Sequence, residues 1–406
     1  MRTQVEAIKV KNFKLYKDLS LNNLQPLNVF LGANGSGKTT FFKIFSFLAT
    51  CLKENVTVAV NREGGFKEVM TRGVDIESEF VEFEIKFRNF EQGEKSPLAT
   101  YELKIGFNHG KVFVEREVLK YRRGSGMTGK PWHFLDYSRG RGHAVKNEID
   151  YGKTGVEADR EEQPLGADDI LALKGLGQFE RYKTIRSFRV LLEQWLVSNL
   201  QNEEMRRINE IGADQQLSAS GNNLAQVASF LHQYHPEIFQ TILDKMKQRV
   251  PGVDSVEAKQ NDAGQILLKF SDRNFADPFI SKHTSDGTIK MFAYLVLLHD
   301  PSPRPLLCIE EPENYLYPTL LRELAEELRL HSMQGGQIFV STHSPDFVNA
   351  LKIEELFLVK KQQGVSSVIS TKQLDKTENL QLVELYENGC ELGWLWQHGY
   401  FKGIDP

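Results

Sequence analysis

Nine consecutive residues, Gly32-Ala33-Asn34-Gly35-Ser36-Gly37-Lys38-Thr39-Thr40, constrain this chain more than any other stretch. They satisfy the pattern G-x-x-x-x-G-K-[ST]. The apolar run Leu27-Asn28-Val29-Phe30-Leu31 ahead of them reads as a buried strand, and Thr40 to Leu48 behind them as a helix. A strand, a glycine-rich turn and a helix N-terminus make backbone N–H groups converge on an anion, and the helix dipole adds to the attraction. Gly32, Asn34, Gly35, Ser36, Gly37 and Thr40 are thereby candidates for nucleotide contact. Lys38 is placed to reach β- and γ-phosphates, and the Thr39 hydroxyl to ligate Mg²⁺. A plain turn has no use for Lys-Thr after its last glycine. The stretch predicts a bound nucleoside triphosphate, ATP or GTP.

At 406 residues the chain has room for a large core and two lobes. With 40% apolar and 26% charged residues it has the composition of a globular protein, and a net charge of −4 excludes a generally basic nucleic-acid coat while leaving room for a local basic groove. Cys51, Cys308 and Cys390 are far apart and form no C-x-x-C pair, which argues against zinc and disulfides and suits a reducing cytosol. Met1-Arg2 leads into a strand-like segment with no apolar signal core, and the longest apolar run, Met291 to Leu298, is too short for a bilayer. The expectation is a cytoplasmic protein that does not enter a membrane.

Along the chain, Val5 to Phe13 alternates as a first strand. After the loop helix, Glu79–Phe87, Thr100–Phe107 and Val112–Leu119 alternate strongly and predict an antiparallel sheet with one wet face. Residues 120–162, rich in glycine, arginine and aromatics, read as hairpins and loops. Helical spacing then takes over: Phe188 to Val197 reads as a helix with Phe188, Leu191, Leu192 and Trp195 on one face, and Pro236 to Arg249 forms another. From Pro251-Gly252 onward strands and helices alternate as in an α/β lobe. The expected divisions are 1–175, an N-terminal lobe with the phosphate loop and antiparallel sheet; 176–248, a helical insert; and 249–406, a C-terminal lobe.

Three further signals lie in that last part. Leu306-Leu307-Cys308-Ile309-Glu310-Glu311-Pro312-Glu313 is an apolar strand ending in acids. At a strand's C-terminal edge one carboxylate can hold Mg²⁺ through water and a second can orient the attacking water, which assigns Glu310 to the metal and Glu311 to the water. Acidic strand ends are commonly just solvated loops; the phosphate loop is what gives this one a metal to meet. His343, in Ser341-Thr342-His343-Ser344-Pro345, ends the next buried strand and could donate to a γ-phosphate oxygen. Ser285-Asp286-Gly287-Thr288 precedes a helix and forms either a second anion site or a plain N-cap.

Taken in order, the strand, G-x-x-x-x-G-K-T-T, antiparallel insert, helical insert, S-D-G-T, I-E-E-P-E and S-T-H-S-P resemble the ABC-type ATPase heads of the SMC/RecF/OLD group, and within it the compact bacterial AAA-family ATPases. The likeness runs nearly to the end, through Gly393-Trp394-Leu395-Trp396-Gln397-His398-Gly399. It implies an α/β P-loop NTPase of ABC-ATPase type: a mixed sheet core with an antiparallel β insert and a helical insert. It also implies ATP and Mg²⁺, ATP hydrolysis, and a head-to-tail homodimer. In that dimer, nucleotide on one copy's phosphate loop is closed by the other copy's Ser285 and Gly287. Under the same resemblance Glu311 is the general base, His343 the switch histidine, Lys38 a catalytic cation, and Gln178 the loop glutamine meeting Mg²⁺ and water. Two positions depart from the pattern: Glu310 stands where relatives mostly have Asp, and Tyr317 where His is common. Both leave the turnover rate open.

Only some sixty residues follow His343, with no Asp-x-Asp, so the resemblance implies no TOPRIM domain and no intrinsic nuclease. The helical insert is too short for SMC arms. Cations interleaved with aromatics between 120 and 146, including Lys120, Tyr121, Arg122, Arg123, Lys130, Trp132, His133, Phe134, Arg139, Arg141 and His143, suit DNA contact; a solvated hairpin has the same look. The reading is an ATPase of DNA repair or antiphage defence that controls a separately encoded effector such as a nuclease. The alternatives are an ATP-gated signalling scaffold and a transporter ATPase.

Overall fold

The computed structural model describes residues 3–89, 98–121, 131–147, 159–212, 214–373 and 380–401. Up to residue 195 the strands are β1 (Thr3–Phe13), β2 (Tyr16–Asn22), β3 (Leu27–Leu31), β4 (Val81–Asn89), β5 (Leu98–Asn108), β6 (Lys111–Tyr121), β7 (Trp132–Ser138), β8 (Arg141–Val145) and β9 (Arg160–Glu162). The helices there are α1 (Lys38–Lys53), α2 (Val56–Arg62), α3 (Phe66–Val69), α4 (Ala172–Leu176) and α5 (Lys183–Glu193). Residues 196–356 add β10 (Leu196–Ser198), α6 (Asn202–Met205), β11 (Asn209–Glu210), α7 (Leu224–Tyr234), α8 (Pro236–Arg249), β12 (Val253–Gln260), β13 (Gln265–Asp272), β14 (Phe279–Ile280), α9 (Asp286–Leu298), β15 (Leu306–Glu310), α10 (Pro318–Met333), β16 (Gln337–Thr342) and α11 (Pro345–Val348). Last come β17 (Leu356–Gln362), β18 (Val365–Ser370), α12 (Leu380–Glu387) and α13 (Leu392–Gln397). The chain divides into two compact units: Met1–Trp195 with Phe357–Leu374, and Leu196–Leu356 with Asp375–Pro406.

The first unit holds an eight-stranded sheet in the order β2-β1-β4-β5-β6-β7-β8-β9. Its pairs are antiparallel throughout. Alternation decides its faces: Tyr101, Leu103 and Ile105 are fully buried, while Thr100, Glu102 and Lys104 between them face outward. Outward charges pair across strands, as in Lys9–Glu84 (3.3 Å) and Lys104–Glu82 (3.1 Å). Phe13, Phe47 and Phe83 lie 5.4–5.8 Å apart and fasten α1 to the sheet. Strand β3, buried along its whole length, neighbours β17, which pairs antiparallel with β18. Phe30 and Phe357 stack at 5.2 Å across this group.

Residues 120–162 supply β7, β8 and β9 to the large sheet. Their period-2 signal is confined to a few inward side chains such as Leu135 and Tyr137, too short a run to stand out among glycines and charges. The stretch Phe188–Val197 is likewise not one helix. Helix α5 ends at Glu193, and β10 pairs in parallel with β15, because a short apolar segment beside a buried parallel strand gains more from the ladder.

In the second unit β10, β15 and β16 form a parallel group with registers Leu307↔Ile338 and Cys308↔Phe339. All of β16 and four of the five residues of β15 are buried, and their centres, Ile338–Val340 and Leu306–Ile309, read as apolar runs. Helix α9 is buried from Ile289 to Leu298, whereas α10 buries only one face through Leu320, Leu321, Leu324 and Leu328. A small antiparallel sheet of β11, β13 and β12, with β14 on β13, completes the unit. Between α8 and α10, the 2%-exposed Glu327 takes the Lys245 ammonium at 2.6 and 2.8 Å and the Arg249 guanidinium at 2.5 Å. These cations hold its carboxyl below the ordinary range although burial pushes the other way. Among the described residues no helix is long and apolar enough to cross a membrane.

Candidate nucleotide site

In the first unit, β3 ends where the loop begins, and α1 starts at Lys38. Gly37 caps that helix with φ 116°, a conformation that favours glycine, and no side chain caps the first turn. The first turn carries no acidic residue either. Helix α1 therefore begins with backbone donors that no side chain of the helix cap satisfies and with its positive dipole end uncompensated, which is what an anion site requires.

Lys38 is 5% exposed, and its ammonium donates to the Gly32 carbonyl at 2.6 Å and the Ala33 carbonyl at 3.0 Å. The Ser36 Oγ is buried and, among the described residues, lacks a hydrogen-bond partner. A Cβ at Gly32 would sit 2.4 Å from the Val359 carbonyl oxygen and 2.8 Å from Ser36 Oγ, so only glycine fits. Asn34, Gly35 and Thr39 are exposed, and Thr40 is half-buried in the first turn of α1. An orphaned hydroxyl, a buried ammonium and an open helix terminus make up a donor set that fits a polyphosphate. Gln178 follows α4 in the same unit, exposed, with its amide donating to the Lys174 carbonyl at 3.4 Å.

In the second unit the acids gather at the strand ends. Glu310 is the last residue of β15. Glu311 has φ 42°, rare for a side chain of its size, and its amide donates to the Ser341 carbonyl at 2.9 Å. That turn brings Glu311 Oε1 to 3.5 Å from His343 Nδ1, and the Asn314 amide donates to Glu311 Oε2 at 3.2 Å. Glu313 holds the histidine from the other side. Its Oε1 accepts from the Thr342 hydroxyl (2.9 Å) and the His343 amide (2.8 Å), and lies 3.2 Å from Nδ1. Ser285 caps α9, accepting from the Thr288 amide at 3.2 Å, and the neighbouring Asp286 is paired with Arg206 at 2.7 Å. A Cβ at Gly287 would meet the Tyr315 carbonyl at 3.2 Å. Lys290, one turn into α9, is 3% exposed and donates to the Asn314 carbonyl at 2.7 Å.

Glu311 and His343 are thus brought together, and Ser285 and Gly287 stand at one helix start. Sequence reasoning had no role for Glu313, Thr342, Asn314, Lys290, Tyr16 or Ser366. Lys290 carried a legible signal, a single cation in the apolar run Ile289 to Leu298. The 120–146 region differs from a free stacking surface. Lys120 pairs with Glu102, and Arg139 pairs with Glu115 and lies 4.4 Å over Phe113. His133 bonds Asp136, and Tyr121 stacks on Phe134 with both rings buried. Arg122, Arg123 and Lys130 lie outside the described residues. Among the described residues no three His, Cys, Asp or Glu side chains are grouped to hold a metal; Mg²⁺ in a nucleotide site leans on one or two protein oxygens and on phosphates, a demand that the exposed Thr39 in the first turn of α1 can meet.

Residues 27–349 match the sequence profile of a family described as "AAA domain, putative AbiEii toxin, Type IV TA system". The chain belongs to this AAA-domain family. No curated protein matches it. Among solved structures it is similar to an SMC head bound to the C-terminal winged-helix domain of ScpA, with TM-score 0.52 and 13% identity over 90% of this chain and 97% of that one. An SMC head from Thermotoga maritima aligns with TM-score 0.48 and 13% identity over 91% and 99%. The chain therefore has the fold of SMC-type heads, an α/β architecture with mixed and antiparallel sheets, and its membership of the AAA-domain family makes it a nucleotide-binding ATPase.

Proposed function

We propose that this AAA-family chain hydrolyses ATP with Mg²⁺ and works as a switch that closes into an ATP-sandwiched homodimer to control a separately encoded effector. The observation that carries the reading is the cluster at the ends of β15 and β16, where Glu311, in a left-handed backbone conformation, faces a histidine held by Glu313. A carboxylate forced out of its preferred backbone region toward an imidazole has the marks of a positioned base. Glu311 would accept the proton of the attacking water. His343, held through its backbone amide by Glu313, would donate to the γ-phosphate. Lys38 supplies a buried ammonium to the phosphates, and Ser36 a hydroxyl. Thr39 and Glu310 would hold Mg²⁺, with Gln178 as a further ligand. When bound, Mg²⁺ supplies positive charge to the transferring phosphoryl group. Ser285 and Gly287, at the start of α9, would present donors to the nucleotide of a second copy.

The family description names a toxin of a type IV system, which favours a defence role over repair. ScpA in complex with an SMC head sets the precedent of a protein partner on this fold. The internal pairing of Lys120 and Arg139 and the burial of Tyr121 and Phe134 favour such a partner over DNA at 120–146. The test is E311Q. It should bind ATP as the wild type does, hydrolyse it at least about a hundredfold more slowly by loss of the base, and accumulate as a dimer with ATP in light scattering. Turnover at the wild-type rate would remove Glu311 from the mechanism. A stable ATP-dimer of S285R would remove the trans contact.

A further inference from the structure

We propose that Tyr16 and Ser366 are positioning residues for nucleotide binding, their two hydroxyls clamping the back of the phosphate loop and thereby aiming its amides. The inference rests on the reading of Gly32–Thr40 as the nucleotide site. The Ser366 Oγ–H donates to the Ser36 carbonyl at 2.6 Å, and the Tyr16 O–H to the Gly37 carbonyl at 3.0 Å. Tyr16 is 0% and Ser366 1% exposed, so neither bond competes with water. The two side chains come from the first residue of β2 and the second residue of β18, and the Ser366 amide donates to the Leu15 carbonyl at 2.8 Å, tying the two supports together.

The consequence follows from peptide geometry. In a planar trans peptide the C=O and N–H point in opposite directions. Fixing the carbonyl of residue 36 toward Ser366 points the Gly37 N–H away from β18. Fixing the carbonyl of residue 37 toward Tyr16, where it also accepts from the Phe41 amide at 2.9 Å, points the Lys38 N–H out of the start of α1. These are the amides that converge on a phosphate at a helix N-terminus. A carbonyl that already accepts a strong bond also makes the N–H of its own peptide a better donor. The clamp accounts for Gly37 independently of any ligand: a Cβ there would lie 2.5 Å from Ser366 Oγ and 3.3 Å from the Tyr16 oxygen. Both residues act through the loop backbone.

ATP and ADP are titrated at equilibrium into wild type, K38A, Y16F, S366A and the double variant, and each protein's urea midpoint is measured without nucleotide. Each single variant should weaken both nucleotides about fivefold, the equivalent of about 1 kcal/mol for one neutral hydrogen bond. The double variant should lose about tenfold or more. The factor should be the same for ATP and ADP, because the aimed amides meet the β-phosphate that both carry. KM for ATP should rise with kcat unchanged. A folded double variant with wild-type affinity overturns the clamp, as does a loss seen with ATP but not with ADP. Y16F removes one oxygen and keeps the ring, so it decides the matter should S366A fail to fold. K38A separates the two levels. If K38A binds ATP as the wild type does, the loop reading itself fails; if K38A is dead and Y16F/S366A is not weakened, only the clamp fails.

Discussion

Lys290 offers the sharpest quantitative test. It sits on α9 between Ile289 and Met291, 3% exposed, with its Nζ on the Asn314 carbonyl at 2.7 Å. Burial pulls the ammonium down from 10.5 to about 8, with Glu313 and Glu311 opposing. Keeping the charge there at pH 7 costs the fold about 3 kcal/mol, at about 1.36 kcal/mol for each pH unit of displacement. Methionine has a similar length and no charge, so K290M removes that cost. It also strands the Asn314 carbonyl and leaves Glu313 without its cation, a loss of about 1–3 kcal/mol. The variant should therefore be about 0–2 kcal/mol more stable than wild type at pH 7. Because the folded value is depressed, the wild-type penalty is full below pH 8 and fades as pH rises toward 10.5. The advantage of K290M should shrink and reverse across that window. Urea denaturation of both proteins at pH 7, 8, 9 and 10, followed by tryptophan fluorescence, reads it directly. Turnover should fall about tenfold, since the loop bearing Glu311 loses its tie to α9. A K290M protein more than about 2 kcal/mol less stable at pH 7, or a difference that does not move with pH, would refute the assignment of a buried, costly charge.

Two further outcomes are expected. Glu117, fully buried, accepts from the Tyr101 hydroxyl and the Ala172 and Leu173 amides, and burial pushes its carboxyl up to about 7. Its folded value is raised, so about 3 kcal/mol of stability present below pH 4.5 is lost as pH climbs through 7; E117Q should flatten that slope in urea melts between pH 5 and 8. At Gly393 an added Cβ would lie 2.2 Å from the Pro345 carbonyl oxygen and 2.6 Å from Asn349 Oδ1. G393A should cost about 1–3 kcal/mol and speed amide exchange in α13, leaving α1 protected.

The phosphate loop, β3, β15, β16 and α9 were legible because each is a run of one period bounded by punctuation: Leu27–Leu31, Leu306–Glu310 and Gln337–Thr342 are apolar strands ending in glycine, acid or histidine. What escaped depends on distant parts of the chain. Ser366 is an unremarkable serine in an alternating hairpin strand, and nothing local says that its hydroxyl meets residue 36. Glu313 looks like one acid among three until the turn at Glu311 folds it under His343. The aromatic and basic residues near 120–146 suit a nucleic-acid face by composition, and composition does not report pairing. The sheet gives Lys120 and Arg139 carboxylate partners from neighbouring strands. The apolar spacing of Phe188–Val197 overstates the length of α5, because Leu196 and Val197 continue its pattern while serving a parallel ladder.

The return of residues 357–374 to the first unit has a bearing on synthesis. The loop sequence is complete by residue 40, yet the carbonyl of Ser36 waits for a partner 330 positions later. Domains emerging from a ribosome generally fold from the N-terminus as units, but this unit cannot close until the far segment has arrived, and the entropy of joining such distant points is met only then. A chain cut short before β17 carries the whole nucleotide motif and the Tyr16 support but lacks the Ser366 one. Full affinity for a triphosphate thus waits on the arrival of β18, and a product interrupted before it should hold nucleotide more weakly.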